Sequence, residues 1–168
     1  MKGFLELFGE YIDSSVSAYF GEAVVESIEA ALSDRSVSMV VRFPVPVDIS
    51  VIRKTKADLA RVMNLKKLDF GFHFPPESFD MNYLSSFVRE IYDNFPASKT
   101  ILDGAEYSLD GDKLTVRLAS NGKDVLTNLG CDEFIRKTVD RRFERLISVE
   151  FMSSASEADD LQKLEKRP

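Results

Sequence analysis

Residues 105–118 read Ala105-Glu106-Tyr107-Ser108-Leu109-Asp110-Gly111-Asp112-Lys113-Leu114-Thr115-Val116-Arg117-Leu118. Ala105, Tyr107 and Leu109 alternate with polar residues, as do Leu114, Val116 and Leu118, and Asp110-Gly111 stands between the two runs. Period-two alternation puts each apolar set on one face of a strand, and Asp-Gly tolerates the positive φ of a tight turn. The stretch therefore predicts an antiparallel hairpin with one buried face. On its C-terminal side two helices are expected. The first holds Val125, Leu126 and Leu129 and closes at Gly130; the second starts near Asp132 and buries Phe134, Ile135, Val139, Phe143 and Leu146. Ile147, Val149 and Phe151 then return to the strand period. On the N-terminal side Phe79, Leu84, Phe87, Val88, Ile91 and Tyr92 form a helical stripe that stops before Pro96.

The order over 77–152 is thus α-β-β-α-α-β, a layer of helices on a three-stranded sheet and the order of a type II KH-like module. Pro75-Pro76 can neither continue a central strand nor lie inside a helix, so it marks a boundary between a first module, 1–76, and the second. In the first module Phe4, Leu7, Phe8, Tyr11 and Ile12 predict one amphipathic helix over 3–20. Val24, Ile28 and Leu32 fit a helix face or a strand. The strand is preferred because Val37, Met39, Val41 and Phe43 supply a clear partner. Pro44 and Pro46 end that ladder, Asp48 is a candidate N-cap for a helix presenting Ile52, Leu59, Val62 and Met63, and Leu68, Phe70, Phe72 and Phe74 make a third strand. The fold class is α+β in two small modules, α-β-β-α-β and then α-β-β-α-α-β. Residues 153–168 are Ser, Ala, Glu, Asp and Lys with Leu161 and Leu164 as the large apolar residues, a composition that predicts a flexible linker or tail.

Composition narrows the functions. The 168 residues include one Cys, one His and no Trp, with 28 acidic against 22 basic side chains and a net charge of −6. One histidine makes any His-based triad depend on His73, and one cysteine excludes a disulfide framework or a Cys-based zinc site. The acidic balance opposes indiscriminate binding to phosphate or anionic lipid. The residues near the amino terminus have no uninterrupted apolar run, and none elsewhere approaches the ~20 residues that span a bilayer. A cytoplasmic chain without membrane contact is expected.

The stretch Gly104-Ala105-Glu106-Tyr107-Ser108-Leu109-Asp110-Gly111-Asp112-Lys113-Leu114-Thr115-Val116, with the run from Phe134 to Phe151, resembles the amino-terminal region of the PolC-type DNA polymerase III alpha subunit, the replicative polymerase of low-GC Gram-positive bacteria. The resemblance extends over about residues 1–152 and lies in hydrophobic pattern and the hairpin. It implies a non-catalytic fragment without a cofactor, because that family's polymerase and 3′–5′ exonuclease chemistry lies further along the chain. It also implies DNA replication as the process and replisome proteins as partners. The second module is similar to the alpha-binding domain of the clamp-loader tau subunit, which contacts protein.

Candidate contact residues are basic. Arg136, Lys137, Arg141, Arg142 and Arg145 fall within ten residues, and a continuous helix would align Lys137, Arg141 and Arg145. They read as a surface for DNA phosphates or an acidic partner, or as a solvated face whose charges pair with Asp132, Glu133, Asp140 and Glu144. Arg53, Lys54, Lys56 and Arg61 form a second candidate, with Lys66 and Lys67 just beyond. No two glycines stand three apart, so the GxxG clamp by which KH modules hold a single strand is missing, as are a Walker loop and a GxGxxG fingerprint. Phe70, Phe72 and Phe74 are expected in the core, and His73 at a surface or edge without ligand neighbours. The leading expectation is a protein-docking module; the competing one is a KH-like module that binds single-stranded nucleic acid through its basic helix.

Overall fold

The computed structural model describes residues 1–153, and the chain divides into two compact α+β units. One takes in Met1–Ser78 together with Arg141–Glu144; the other takes in Phe79–Asp140 and the chain from Arg145 onward. Of the predicted tail, 153–168, all but Ser153 lies outside the described residues.

The first unit runs β1 (Lys2–Gly3), α1 (Phe4–Phe8), α2 (Ser14–Ser17), β2 (Val24–Ala31), β3 (Ser36–Arg42), α3 (Ile49–Val62) and β4 (Lys67–His73). The single helix expected over 3–20 is instead two short helices, each followed by one 3₁₀ turn. Asp13 breaks it. Its backbone is extended and its carboxylate accepts a hydrogen bond from the Ser15 amide at 2.8 Å, so it starts a new turn rather than continuing the old one.

Strands are ordered β1-β2-β3-β4, with β2 antiparallel to β3 and β4 parallel to β3. A parallel neighbour requires a crossover, which α3 supplies; Asp48 caps it by accepting from the Ser50 amide at 2.8 Å. The register of β2 against β3 shifts between Val25 and Ser27, leaving Glu26 as the extra residue of a bulge. Val25 is therefore buried, whereas Ile28 and Leu32, expected on the buried side, are exposed. Val37, Met39, Val41 and Phe43 are buried as their alternation predicts. The core is a chain of rings: Phe4 on Phe20 at 4.3 Å, Phe20 to Phe43 at 5.2 Å, Phe43 to Phe74 at 5.7 Å and Phe74 to Phe143 at 5.3 Å. Each such pair contributes about 0.5–1.5 kcal/mol beyond the burial of its area.

The second unit runs α4 (Met81–Asn94), α5 (Ser98–Leu102), β5 (Glu106–Asp110), β6 (Lys113–Leu118), α6 (Lys123–Leu129), α7 (Cys131–Phe143, whose last turn belongs to the first unit) and β7 (Ser148–Ser153). Its strands are ordered β5-β6-β7, the first pair antiparallel and the second parallel. The hairpin turn is made at Gly111, φ 57°, and α6 stops at Gly130, φ 85°; both conformations are cheap for glycine alone. The five-residue α5 is short for periodicity to register and was not expected. Leu114, Val116, Leu118, Leu126, Ile135 and Val139 are buried in its core together with the rings of Phe79 and Phe87, and Phe87 stacks on Phe134 at 5.9 Å. Glu144 takes φ 49° and ends α7 at Phe143, so Leu146, expected in the core, is exposed.

Candidate functional site

The basic run at 136–145 is largely paired. Acidic Asp132 and Glu133 occupy the first turn of α7 and Arg141 and Arg142 its last, the distribution that complements a helix dipole. Arg136 reaches Asp132 at 3.9 Å and Lys137 reaches Glu133 at 2.8 Å, both one turn apart; the Lys137 hydrogen bond holds the Glu133 carboxyl below its ordinary value. The Arg142 guanidinium stands 5.1 Å from the centre of the Phe72 ring. Arg145 lies beyond the end of α7, which corrects the expected alignment of Lys137, Arg141 and Arg145 on one helix. Its Nε donates to Asp112 Oδ1 at 2.8 Å, and its guanidinium also donates to the Gly111 carbonyl and to the Phe79 carbonyl. Arg145 fastens a hairpin turn. Arg141 is exposed and has no ion pair among the described residues.

The second candidate stretch is more open. Arg53, Lys54, Lys56 and Arg61 are exposed on α3. Lys54 meets Asp13 at 3.7 Å, and Arg61 meets Asp58 at 3.4 Å. The Ser15 amide first, then the Ser15 hydroxyl and the charge of Lys54, hold the Asp13 carboxyl below its ordinary value. Lys66 and Lys67 follow at the start of β4, where both amides donate to the Arg35 carbonyl.

A third group escaped the sequence reading. His73 was expected to lack neighbours, yet its Nδ1 lies 3.1 Å from Glu26 Oε2 and 3.5 Å from Glu144 Oε1. Arg42 bonds both carboxylates, Glu26 through Nε and Glu144 through Nη2 at 2.6 Å. The Arg42 bond comes first among the causes that hold the Glu144 carboxyl below its ordinary value. Position explains the convergence: Arg42 and His73 are opposite each other in the parallel register, and the bulge turns Glu26 out of strand alternation toward them. In sequence, only the pairing of β3 with β4 could have signalled it. With the guanidinium between the two carboxylates, the quartet is a structural clasp rather than a place for a metal. Among the described residues no group of three or more His, Cys, Asp and Glu is arranged to hold a metal ion.

Other candidates are structural. Cys131 is buried, and desolvation with the neighbouring Asp132 pushes its thiol up to about 11, which disfavours the thiolate at neutral pH. Phe74 is buried and Phe70 and Phe72 are half-buried, within the ring chain. The turn Leu129-Gly130-Cys131-Asp132 between α6 and α7 carries a carboxylate and one glycine. What the fold and its charges define is a two-unit α+β chain in which most candidate cations already have partners. No family model, no curated protein and no solved structure matches it.

Proposed function

We propose that this chain is a non-catalytic docking region of a PolC-type replicative DNA polymerase, acting in the cytoplasm in DNA replication and holding the polymerase to replisome proteins, the clamp-loader tau subunit among them. The polymerase and 3′–5′ exonuclease activities of such a protein would reside outside this chain. The observation that carries the reading is how much of the basic run at 136–145 is engaged within the chain. Arg136 and Lys137 pair with Asp132 and Glu133, Arg142 stands over the Phe72 ring and, beyond the helix, Arg145 bonds Asp112. Among the described residues Arg141 alone of that run is left without such a contact, which leaves little of it to release counterions from a nucleic-acid backbone. The order α-α-β-β-α-α-β in the second unit, the expected order with the short α5 added, is compatible with a KH-like layout whose clamp loop is missing. Among the described residues no helix is long and apolar enough to cross a membrane.

The test is a pair of titrations with the full chain. Isothermal titration against purified replisome proteins from the source organism, tau first, is expected to give one saturable complex. Fluorescence anisotropy with a single-stranded oligonucleotide at low and moderate salt is expected to show almost no binding. Tight, salt-sensitive oligonucleotide binding that Arg141→Glu with Arg142→Glu abolishes would instead establish the nucleic-acid reading.

A further inference from the structure

We infer that Asn121 is a site of spontaneous covalent modification, hydrolysed to aspartate and isoaspartate through a cyclic imide that the amide of Gly122 closes. The chemistry needs a side-chain carboxamide, a following main-chain amide with neither a side chain to shield it nor a hydrogen bond to give up, and water to open the ring. The chain has five asparagines, and in four of them the following residue is bulky and its amide is held. After Asn64 the Leu65 amide donates to the Ala60 carbonyl at 2.8 Å, and after Asn94 the Phe95 amide donates to the Ile91 carbonyl at 2.8 Å. After Asn82 the Tyr83 amide donates to Asp80 Oδ1 at 3.0 Å, and Leu129, after Asn128, lies within α6. Asn121 differs on each count. It is exposed in the bend between β6 and α6, glycine follows it, and among the described residues the Gly122 amide donates no hydrogen bond.

Two contacts hold the pair in place. A Cβ at position 122 would lie 2.6 Å from Ile101 Cγ2, so the fit against α5 leaves room for glycine and keeps the amide unshielded. The hydroxyl of buried Ser153 donates to Asn121 Oδ1 at 2.9 Å. A donor on that oxygen stabilises the negative charge that develops there when the carbonyl carbon is attacked. Asp103-Gly104 and Asp110-Gly111 share the glycine but present a carboxylate, a poorer electrophile with no ammonia to expel.

Water is the sole co-reactant. The Gly122 nitrogen loses its proton to solvent base and attacks Asn121 Cγ; the new C–N bond closes a five-membered imide as the Cγ–Nδ2 bond breaks and ammonia leaves. Water then opens the ring at one carbonyl or the other, so an amide has become a carboxylate with no change of oxidation state. Opening at the main-chain carbonyl routes the backbone through the former side chain and lengthens it by one carbon immediately before α6, where Gly122 fits closely on Ile101.

The experiment incubates the full, folded chain at pH 6 and at pH 8, with the same chain unfolded in guanidinium chloride as reference, and follows each asparagine by peptide mapping and mass spectrometry. Conversion is expected at Asn121 ahead of the other four, faster at pH 8 because the attacking amide must lose a proton, with isoaspartate detected by enzymatic methylation of its carboxylate. Asn121→Gln is expected to abolish the signal. Ser153→Ala, shown to be folded by its thermal melt, is expected to slow conversion by about 5-fold, the loss of one ordinary hydrogen bond to the developing charge. An Asn121 that stays an amide in the folded chain while it reacts in the unfolded one overturns the site. Conversion at Asn64, Asn82, Asn94 or Asn128 at a comparable rate overturns the part given to the free Gly122 amide, and an unchanged or faster reaction in Ser153→Ala overturns the part given to the hydroxyl.

Discussion

In both units an antiparallel hairpin is followed by a helical crossover and by a third strand parallel to the hairpin's second strand. Arg35 and Asp112 hold corresponding places. Each immediately precedes the hairpin's second strand, and each lends its carbonyl to amides where the third strand begins, Lys66 and Lys67 in one case and Ser148 in the other. From that shared point the units diverge. At Asp112 the turn is made by Gly111 and cinched by Arg145, which bonds the Asp112 carboxylate and the Gly111 carbonyl. At Arg35 the turn is made by a non-glycine residue, its side chain is exposed, and a leucine stands out beside it. The same topology thus carries one closed tip and one displayed tip. The cores do not differ in this way: each combines aliphatic side chains with a chain of rings, Phe4 to Phe143 in the first unit and Phe79, Tyr83, Phe87 and Phe134 in the second.

The two cores are open to the largest perturbation. Phe74→Ala removes a buried ring that meets Phe43, Phe72 and Phe143, and is expected to cost about 3–5 kcal/mol in urea unfolding of the first unit. Leu114→Ala, at a fully buried position of the second, is expected to cost about 2–5 kcal/mol. If Phe74→Ala lost less than about 1 kcal/mol, the ring chain would not be what holds that core together.

The contrast in tips comes next. Arg145→Ala is expected to cost about 1–2 kcal/mol and to speed amide exchange at Ser148, because a charge-assisted bond and a carbonyl partner are both lost. Arg35→Ala is expected to stay within about 0.5 kcal/mol of the parent chain, as an exposed side chain without an ion pair should. Equal losses at the two sites would erase the distinction between a closed and a displayed tip.

The smallest effect belongs to the clasp around His73. The Glu144 carboxyl is held below its ordinary 4.5, first by the Arg42 bond and further by the charges of His73 and Arg42. A lowered carboxyl stabilises the fold above its unfolded value, and that stability is lost as pH falls below 4.5 through the folded value. The group is half-exposed, so the contribution is below about 1 kcal/mol. Stability measured at pH 6 and pH 3 should fall slightly less for Glu144→Gln than for the parent chain. An equal fall in both would show that the Arg42 bond does not form in solution.

What could be read beforehand follows the range of the interactions involved. Asp110-Gly111 announces its hairpin, Asp48 its helix and the Val37 to Phe43 alternation its strand, because each depends on neighbours within a few residues. The break at Asp13 was missed although local, since apolar spacing over 3–20 outweighed a cap that uses one side chain. The bulge at Glu26 was not legible: it is defined by the partner strand, and it is what brings the nearer of the two carboxylates to His73. The same holds for the basic residues. Intrahelical pairs of Arg136 and Lys137 follow from spacing, whereas the attachment of Arg145 to Asp112 spans 33 residues and depends on where Glu144 ends the helix.

Arg141–Glu144 belongs to the first unit although the chain on either side belongs to the second. Phe143 is the last ring of the chain that begins at Phe4, and the Arg142 carbonyl accepts from the Phe74 amide. On a ribosome adding ~5–20 residues per second, the first unit waits several seconds after Ser78 for the piece that completes its core. Its folding therefore does not follow the order of synthesis: a chain halted after Pro76 carries an unfinished hydrophobic interior, which exposes the nascent protein to chaperones until the fourth turn of α7 has emerged.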